Sequence, residues 1–285
     1  MTLEEKELIP SHFVPHGCDI PYLNSRDYCA AANLFTDIVI QGDSQSRHLQ
    51  QAMLMAYRGD VIQGGNQPRH PEKHRHFYRC HCDAQFSPSS YCRALDYGFF
   101  QRFRPYQLHT CPELPIDSQF TQSFSNNRIG GDLFSFEGIK CSLPDYKGLL
   151  VYIQGGVHWK WKVPDVWEKL FSKILTKPIL KTCAKQGKLT LIWSGYTAQS
   201  PSMDVRFPHQ SMEFGLEFEK EMERKLASFQ IPMPTLHWIP LTYGSQKADG
   251  LHFVTDVNLE RAQYVMILAK LLREESKYQS LGMLS

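Results

Sequence analysis

The stretch TDIVIQGDSQSRHLQQAMLMAY, residues 36–57, changes its hydrophobic period within a few positions, and that change decides the fold class. From Thr36 to Gln41 the chain is a short, apolar, β-branched run that stops at Gly42, the pattern of a strand covered on both faces. From Ser46 to Tyr57 the apolar residues Leu49, Ala52, Met53 and Ala56 recur at intervals of three and four, the pattern of a helix with one buried stripe. Strand, tight turn and helix in immediate succession begin a βαβ unit.

The same alternation frames the rest of the chain. LLVYIQGG (149–156), KLTLIWSG (188–195) and TLHWIPL (235–241) predict three further strands. Helices are predicted over 164–176, where Pro164 suits the first turn, over 209–230, and over 256–273, where Thr255 is placed as the cap. In the 209–230 helix Met212, Leu216, Met222 and Leu226 mark the apolar positions, and dense charge between them predicts a solvated surface helix. Strands alternating with helices require an α/β fold: a mostly parallel sheet, helices on both faces, right-handed crossovers. Residues 64–140, rich in Gly, Pro, Ser, His, Arg and Cys, break the pattern and read as an irregular insertion within one domain spanning 1–285.

Composition excludes several classes. With 285 residues, 42% hydrophobic and 21% charged, the chain is close to globular averages, which rules out wholesale disorder, coiled coil and collagen-like structure. A net charge of +2 and a sequence pI of 8.1 fall short of a basic nucleic-acid-binding domain, so no nucleic-acid partner is expected. No apolar run is long enough to span a membrane. Met1 to Pro10, with Glu4, Glu5, Lys6 and Glu7, lacks the apolar core of a secretory signal, which taken literally points to the cytosol. The cysteines point the other way. Cys18, Cys29, Cys80, Cys82, Cys92, Cys111, Cys141 and Cys183 form an even set, five of them between positions 80 and 141, as an oxidising compartment leaves behind.

Open α/β sheets bind ligands beyond the carboxyl ends of their strands, so polar residues just after each strand are the first candidates. After the first strand come Gly42, Asp43 and Ser44. Gly42 permits a sharp turn, and Ser44 then lies at the positive end of the following helix, where a nucleophile and developing negative charge are favoured. A serine at that point also suits a plain helix cap. Near the other end, Asp249-Gly250-Leu251-His252 sets a carboxylate three residues from an imidazole, so that the acid orients one ring nitrogen while the other accepts the Ser44 proton.

These residues resemble the SGNH (GDSL) hydrolase superfamily, and GDSQSRHL (42–49) more closely resembles its PC-esterase branch, with the trichome-birefringence-like and Cas1p-type O-acetyltransferases. CDIPYLNSRDYC (18–29) is similar to the lead-in of the plant members, and GGVHW (155–159) to the Gly-x-His motif of the branch. The resemblance implies a three-layer α/β/α sandwich with Ser44 as nucleophile, His252 as base then acid, and Asp249 as its orienter. It implies an acyl-enzyme resolved by water or a sugar hydroxyl, a carbohydrate or glycan ester as substrate, and the secretory pathway (Golgi lumen or extracellular) as compartment. That chemistry needs no cofactor. For the oxyanion, the Ser44 amide and Arg47 are candidates; where the wider superfamily has a Gly-x-Asn-Asp block this chain has Gln154-Gly155-Gly156, whose side chain and amides are candidates in its place. His158 and Trp159 are candidates to line a sugar subsite.

Two rival readings stand beside this one. RHPEKHRHFYRCHC (69–82) offers His70, His74, His76, Cys80, His81 and Cys82 to zinc, although C-x-C and H-x-H lack the usual structural spacing, so no metal site is assigned. Disulfide partners on a basic loop with Arg69, Lys73, Arg75 and Arg79, meeting an acidic glycan, suit that stretch better. The second rival is a non-catalytic glycan-binding or interaction domain that keeps the fold; its signature would be a missing nucleophile, base or acid, and all three residue types are present.

Overall fold

The structure, a computed structural model, describes residues 23–58, 119–123, 136, 138–199, 208–228, 233–245, 247, 252–253 and 255–280. In chain order these give α1 (Ser25–Ala32), β1 (Asp37–Gln41), α2 (Ser44–Arg58), β2 (Gln119–Ser123) and β3 (Leu149–Ile153). There follow α3 (Val163–Val166), a π-helical turn (Trp167–Phe171), α4 (Ser172–Leu175), α5 (Pro178–Lys185), β4 (Leu189–Ser194) and α6 (Met212–Leu226). The chain then forms β5 (Thr235–Leu236), α7 (Ile239–Thr242) and α8 (Thr255–Ser280).

The five strands form one parallel sheet in the order β2-β1-β3-β4-β5. All five residues of DIVIQ and of LLVYI are buried, as strands covered on both faces must be. The pleat sends alternate side chains to opposite faces. Ile38, Ile40, Leu150, Tyr152 and Ile192 join a cluster with α1, α2 and α8. Val39, Leu149, Val151, Ile153, Leu191 and Trp193 join a second cluster with residues of 163–175, α5 and α6. The chain is thus α/β with a parallel sheet, as the periodicity predicts.

Four local expectations need correction. The predicted strand over 235–241 pairs only at Thr235 and Leu236, after which Pro240 falls in the first turn of α7; proline has no N–H for a ladder and a φ suited to a helix start. The irregular segment 64–140 contributes β2, which borders β1 at the edge of the sheet. Its sequence, QFTQS, has one large apolar residue and so no period to detect. The buried face of α6 is Gly215, Phe218, Glu219, Met222 and Leu226, whereas Met212 and Leu216 are exposed. Finally, α1 and α5 were not foreseen, because each of these eight-residue helices is too short to establish a period.

Strand order makes one crevice special. From β1 the chain passes to β2 on one side and then to β3 on the other, so the order reverses between β1 and β3. Beyond the carboxyl ends of those two strands lies the topological switch point, where open α/β sheets hold ligands.

Candidate active site at the switch point

Gln41 ends β1, and its carbonyl accepts the Gln154 N–H at 2.8 Å, extending the β1–β3 ladder by one residue. A Cβ at Gly42 would lie 2.0 Å from the Gln154 carbonyl oxygen and 2.1 Å from Ser46 Oγ, so only glycine lets the two chains approach this closely. Asp43 comes next. Its Oδ1 accepts the Gln45 N–H at 3.0 Å, and the helix begins at Ser44. The cap of α2 is therefore Asp43, and Ser44 is the first helical residue, placed where unpaired N–H groups and the helix dipole favour negative charge. Arg47 follows in the first turn of α2; its side chain lies outside the described residues.

One turn beyond Ser44, whose side chain like that of Arg47 lies outside the described residues, stands His48, 2% exposed. Its ring meets that of His252 at 5.0 Å between centroids, with the planes 58° apart. His252 is held there by its neighbour: Phe253 is buried, forms an isolated antiparallel bridge with Lys247, and its carbonyl accepts the Asn258 Nδ2–H at 2.8 Å. The fold thus brings a histidine from near the C-terminus against the helix that opens with Ser44. Asp249 lies outside the described residues.

Gln154, 5% exposed, is the hub of a buried polar network. Its Oε1 accepts from Ser46 Oγ at 3.2 Å, Tyr152 Oη at 3.3 Å and Arg261 Nη2 at 3.2 Å. Its Nε2 donates to Gln45 Oε1 at 3.3 Å, which also accepts Thr197 Oγ1–H at 2.6 Å. Arg261 is fully buried on α8, its guanidinium 4.9 Å from the Trp238 ring and 5.2 Å from the Phe253 ring, with Nη1 donating to Asn258 Oδ1 at 3.1 Å. Burial pushes its pKa down, and the neighbouring Tyr152 and Asp43 offset part of that. Burial likewise raises the Tyr152 phenol, against the opposing pull of Arg261 and the hydrogen bonds around it.

The remaining candidates separate. Gly155 packs against Leu170 and Gly156 under the Trp161 ring as the chain turns out of β3, on the side of the second core cluster. His158 is exposed. Trp159 is 8% exposed and joins the core cluster, which leaves it little surface to offer a sugar. The histidine-rich segment 69–82 lies outside the described residues, and among the described residues no group of three or more His, Cys, Asp or Glu is placed to hold a metal.

Sequence reasoning missed Gln45, His48, Tyr152, Thr197 and Arg261. Thr197 follows β4 as Ser44 follows β1, so the strand-end rule applied there would have found it. Arg261 lies in phase with the buried Asn258, Val265 and Ala269, and a charge on that stripe was the available signal. Comparison of the chain with family models, curated proteins and solved structures gave no match.

Proposed function

We propose that the chain is a serine-dependent acyl-ester enzyme, an O-acetyl esterase or O-acetyltransferase acting on carbohydrate, built as a single SGNH-like α/β/α sandwich. The observation that carries this reading is the contact of the His252 ring with His48, one helical turn from Ser44, at the switch point of the sheet. The capping of α2 by Asp43 adds to it, because Ser44 is not needed as the cap.

In the mechanism, His252 takes the proton of Ser44 Oγ as the hydroxyl attacks the ester carbonyl. The tetrahedral oxyanion faces the Ser44 amide at the helix start, with the Gln154 amide as the side-chain donor; one such donor is worth about 10²- to 10³-fold in rate. Collapse of the intermediate expels the sugar hydroxyl, which takes the proton from His252, and leaves an acetyl ester on Ser44. Water or a second sugar hydroxyl, deprotonated by His252, then releases the acetyl group. Asp249 orients His252 in this scheme. Exposed His158 is retained as a subsite residue and Trp159 is not. The Cys141–Cys183 disulfide favours an oxidising compartment, hence the secretory lumen or the cell exterior.

Treatment with a serine-directed fluorophosphonate, followed by peptide mapping, should place the label on Ser44. Ser44→Ala should abolish the label and lower turnover of p-nitrophenyl acetate by on the order of 10³-fold or more. An unlabelled Ser44, with saturable binding of an acetylated glycan and no turnover, would instead establish the non-catalytic binding domain.

A further inference from the structure

Among the described residues Arg261 is buried with no carboxylate at ion-pair distance and with no hydrogen-bond partner for its Nε. A guanidinium retained at such cost invites a reason beyond packing. We infer that Arg261 is a positioning residue: it fixes the side-chain amide of Gln154 so that the oxygen faces inward and the nitrogen is presented beside Ser44 as an oxyanion donor. This deepens the proposed acyl-transfer reading and rests on it.

The argument is one of donor and acceptor types. Ser46 and Tyr152 hydroxyls can donate or accept, so either end of the Gln154 amide would satisfy them. A guanidinium has donors only. The atom of Gln154 that meets Arg261 Nη2 at 3.2 Å must therefore be the oxygen, and the hydroxyls of Ser46 and Tyr152 then donate to the same atom. The nitrogen is left on the side of Gln45, the residue that follows Ser44 on α2. One of its two N–H groups goes to Gln45 Oε1, which Thr197 holds in turn; the other has no acceptor among the described residues. Arg261 is itself held by Asn258 and by the rings of Trp238 and Phe253, so the orientation is set before substrate arrives. Without Arg261 the amide could turn over and present its oxygen to the developing oxyanion, which would repel it.

The test is a double-mutant cycle with p-nitrophenyl acetate. Arg261→Met should lower kcat by about 10²-fold with KM little changed, and Gln154→Leu by a similar factor. The double variant should be no worse than Gln154→Leu alone, because Arg261 acts through Gln154. Arg261→Lys, which keeps a donor-only cation, should lose less than about tenfold. Losses that multiply in the double variant, or an Arg261→Lys variant as slow as Gln154→Leu, would overturn the inference.

A second measurement does not need activity. In protein labelled with ¹⁵N-glutamine, the Gln154 side-chain protons, assigned by their loss in Gln154→Leu, should show nuclear Overhauser contacts to the Gln45 side chain. In Arg261→Met a population in contact with the Tyr152 ring should appear. Contacts to the Tyr152 ring in the parent protein would overturn the orientation. If the parent protein neither turns over the ester nor labels at Ser44, the enzymatic reading fails, while the amide orientation still stands or falls by this spectrum.

Discussion

Two arginines leave α8 twelve positions apart and reach opposite ends of the sheet, and their partners differ in kind. Arg273 donates to the backbone carbonyls of Lys147 and Gly187, just before β3 and β4. Around it Tyr146 Oη donates to Asp37 Oδ2 at 2.7 Å, Lys188 Nζ donates to the Cys141 and Leu143 carbonyls, and Cys141 is bonded to Cys183. Arg261 instead meets side-chain amides and aromatic faces beyond the carboxyl ends of β1 and β3. Backbone carbonyls and a covalent bond pin loops; oriented amides and hydroxyls leave directed donors over. The first end ties down the loops that lead into β3 and β4, and the second holds the polar network on which the proposed chemistry rests.

That division can be broken by experiment. The largest effect is expected from His252→Ala, which on the proposed mechanism lowers ester turnover by on the order of 10³-fold or more while leaving the thermal midpoint nearly unchanged. An undiminished rate would remove the switch-point end from catalysis. At the other end, replacing Cys141 and Cys183 by serine releases a closed loop with a sequence separation of 42 residues. Loop entropy sets that cost at about 4 kcal/mol in urea unfolding, with kcat per folded molecule preserved; a folded but inactive double variant would contradict the comparison.

Arg273→Met comes next. It leaves two loop carbonyls without their charged donor and should cost about 2 kcal/mol, again with no change in kcat. Smallest at neutral pH is Tyr146→Phe, which removes one hydrogen bond to Asp37 for about 1 kcal/mol.

Tyr146 also sharpens the picture at alkaline pH. Burial first, then the Asp37 charge and hydrogen bond, push the phenol well above its ordinary value. The folded protein therefore keeps the proton where the unfolded chain releases it, above pH about 10. Stability from this group is complete below that pH and is lost as pH rises beyond it. Tyr146→Phe should flatten the alkaline arm of a stability–pH curve, and an unchanged slope would show that other groups carry it.

Much of this was legible before the fold was known. The β1 and α2 patterns and the place of Ser44 at a strand end follow from residues 36–57 and one rule about strand ends, and the parallel sheet follows from the alternation of strands and helices along the chain. Of the two edge strands, β2 was not legible, because it carries too little apolar signal, and β5 was expected over 235–241 but pairs only at Thr235 and Leu236, before the helix whose first turn holds Pro240. Within the site, Gly42, Asp43 and Ser44 announce themselves by their spacing. Gln154 was found only as a substitute for a missing asparagine, and Arg261 not at all.

The sequence by itself determined the α/β class, the strand that stops at Gly42 and the helix that follows it, because hydrophobic period and turn chemistry act over a handful of neighbouring positions. Only the tertiary structure decided that His252 meets His48 and that Arg261 meets Gln154, partners separated by more than a hundred residues. Such pairs depend on strand order, register and the exit angle of a helix, all resolved to within the reach of a hydrogen bond, and no local pattern carries that information.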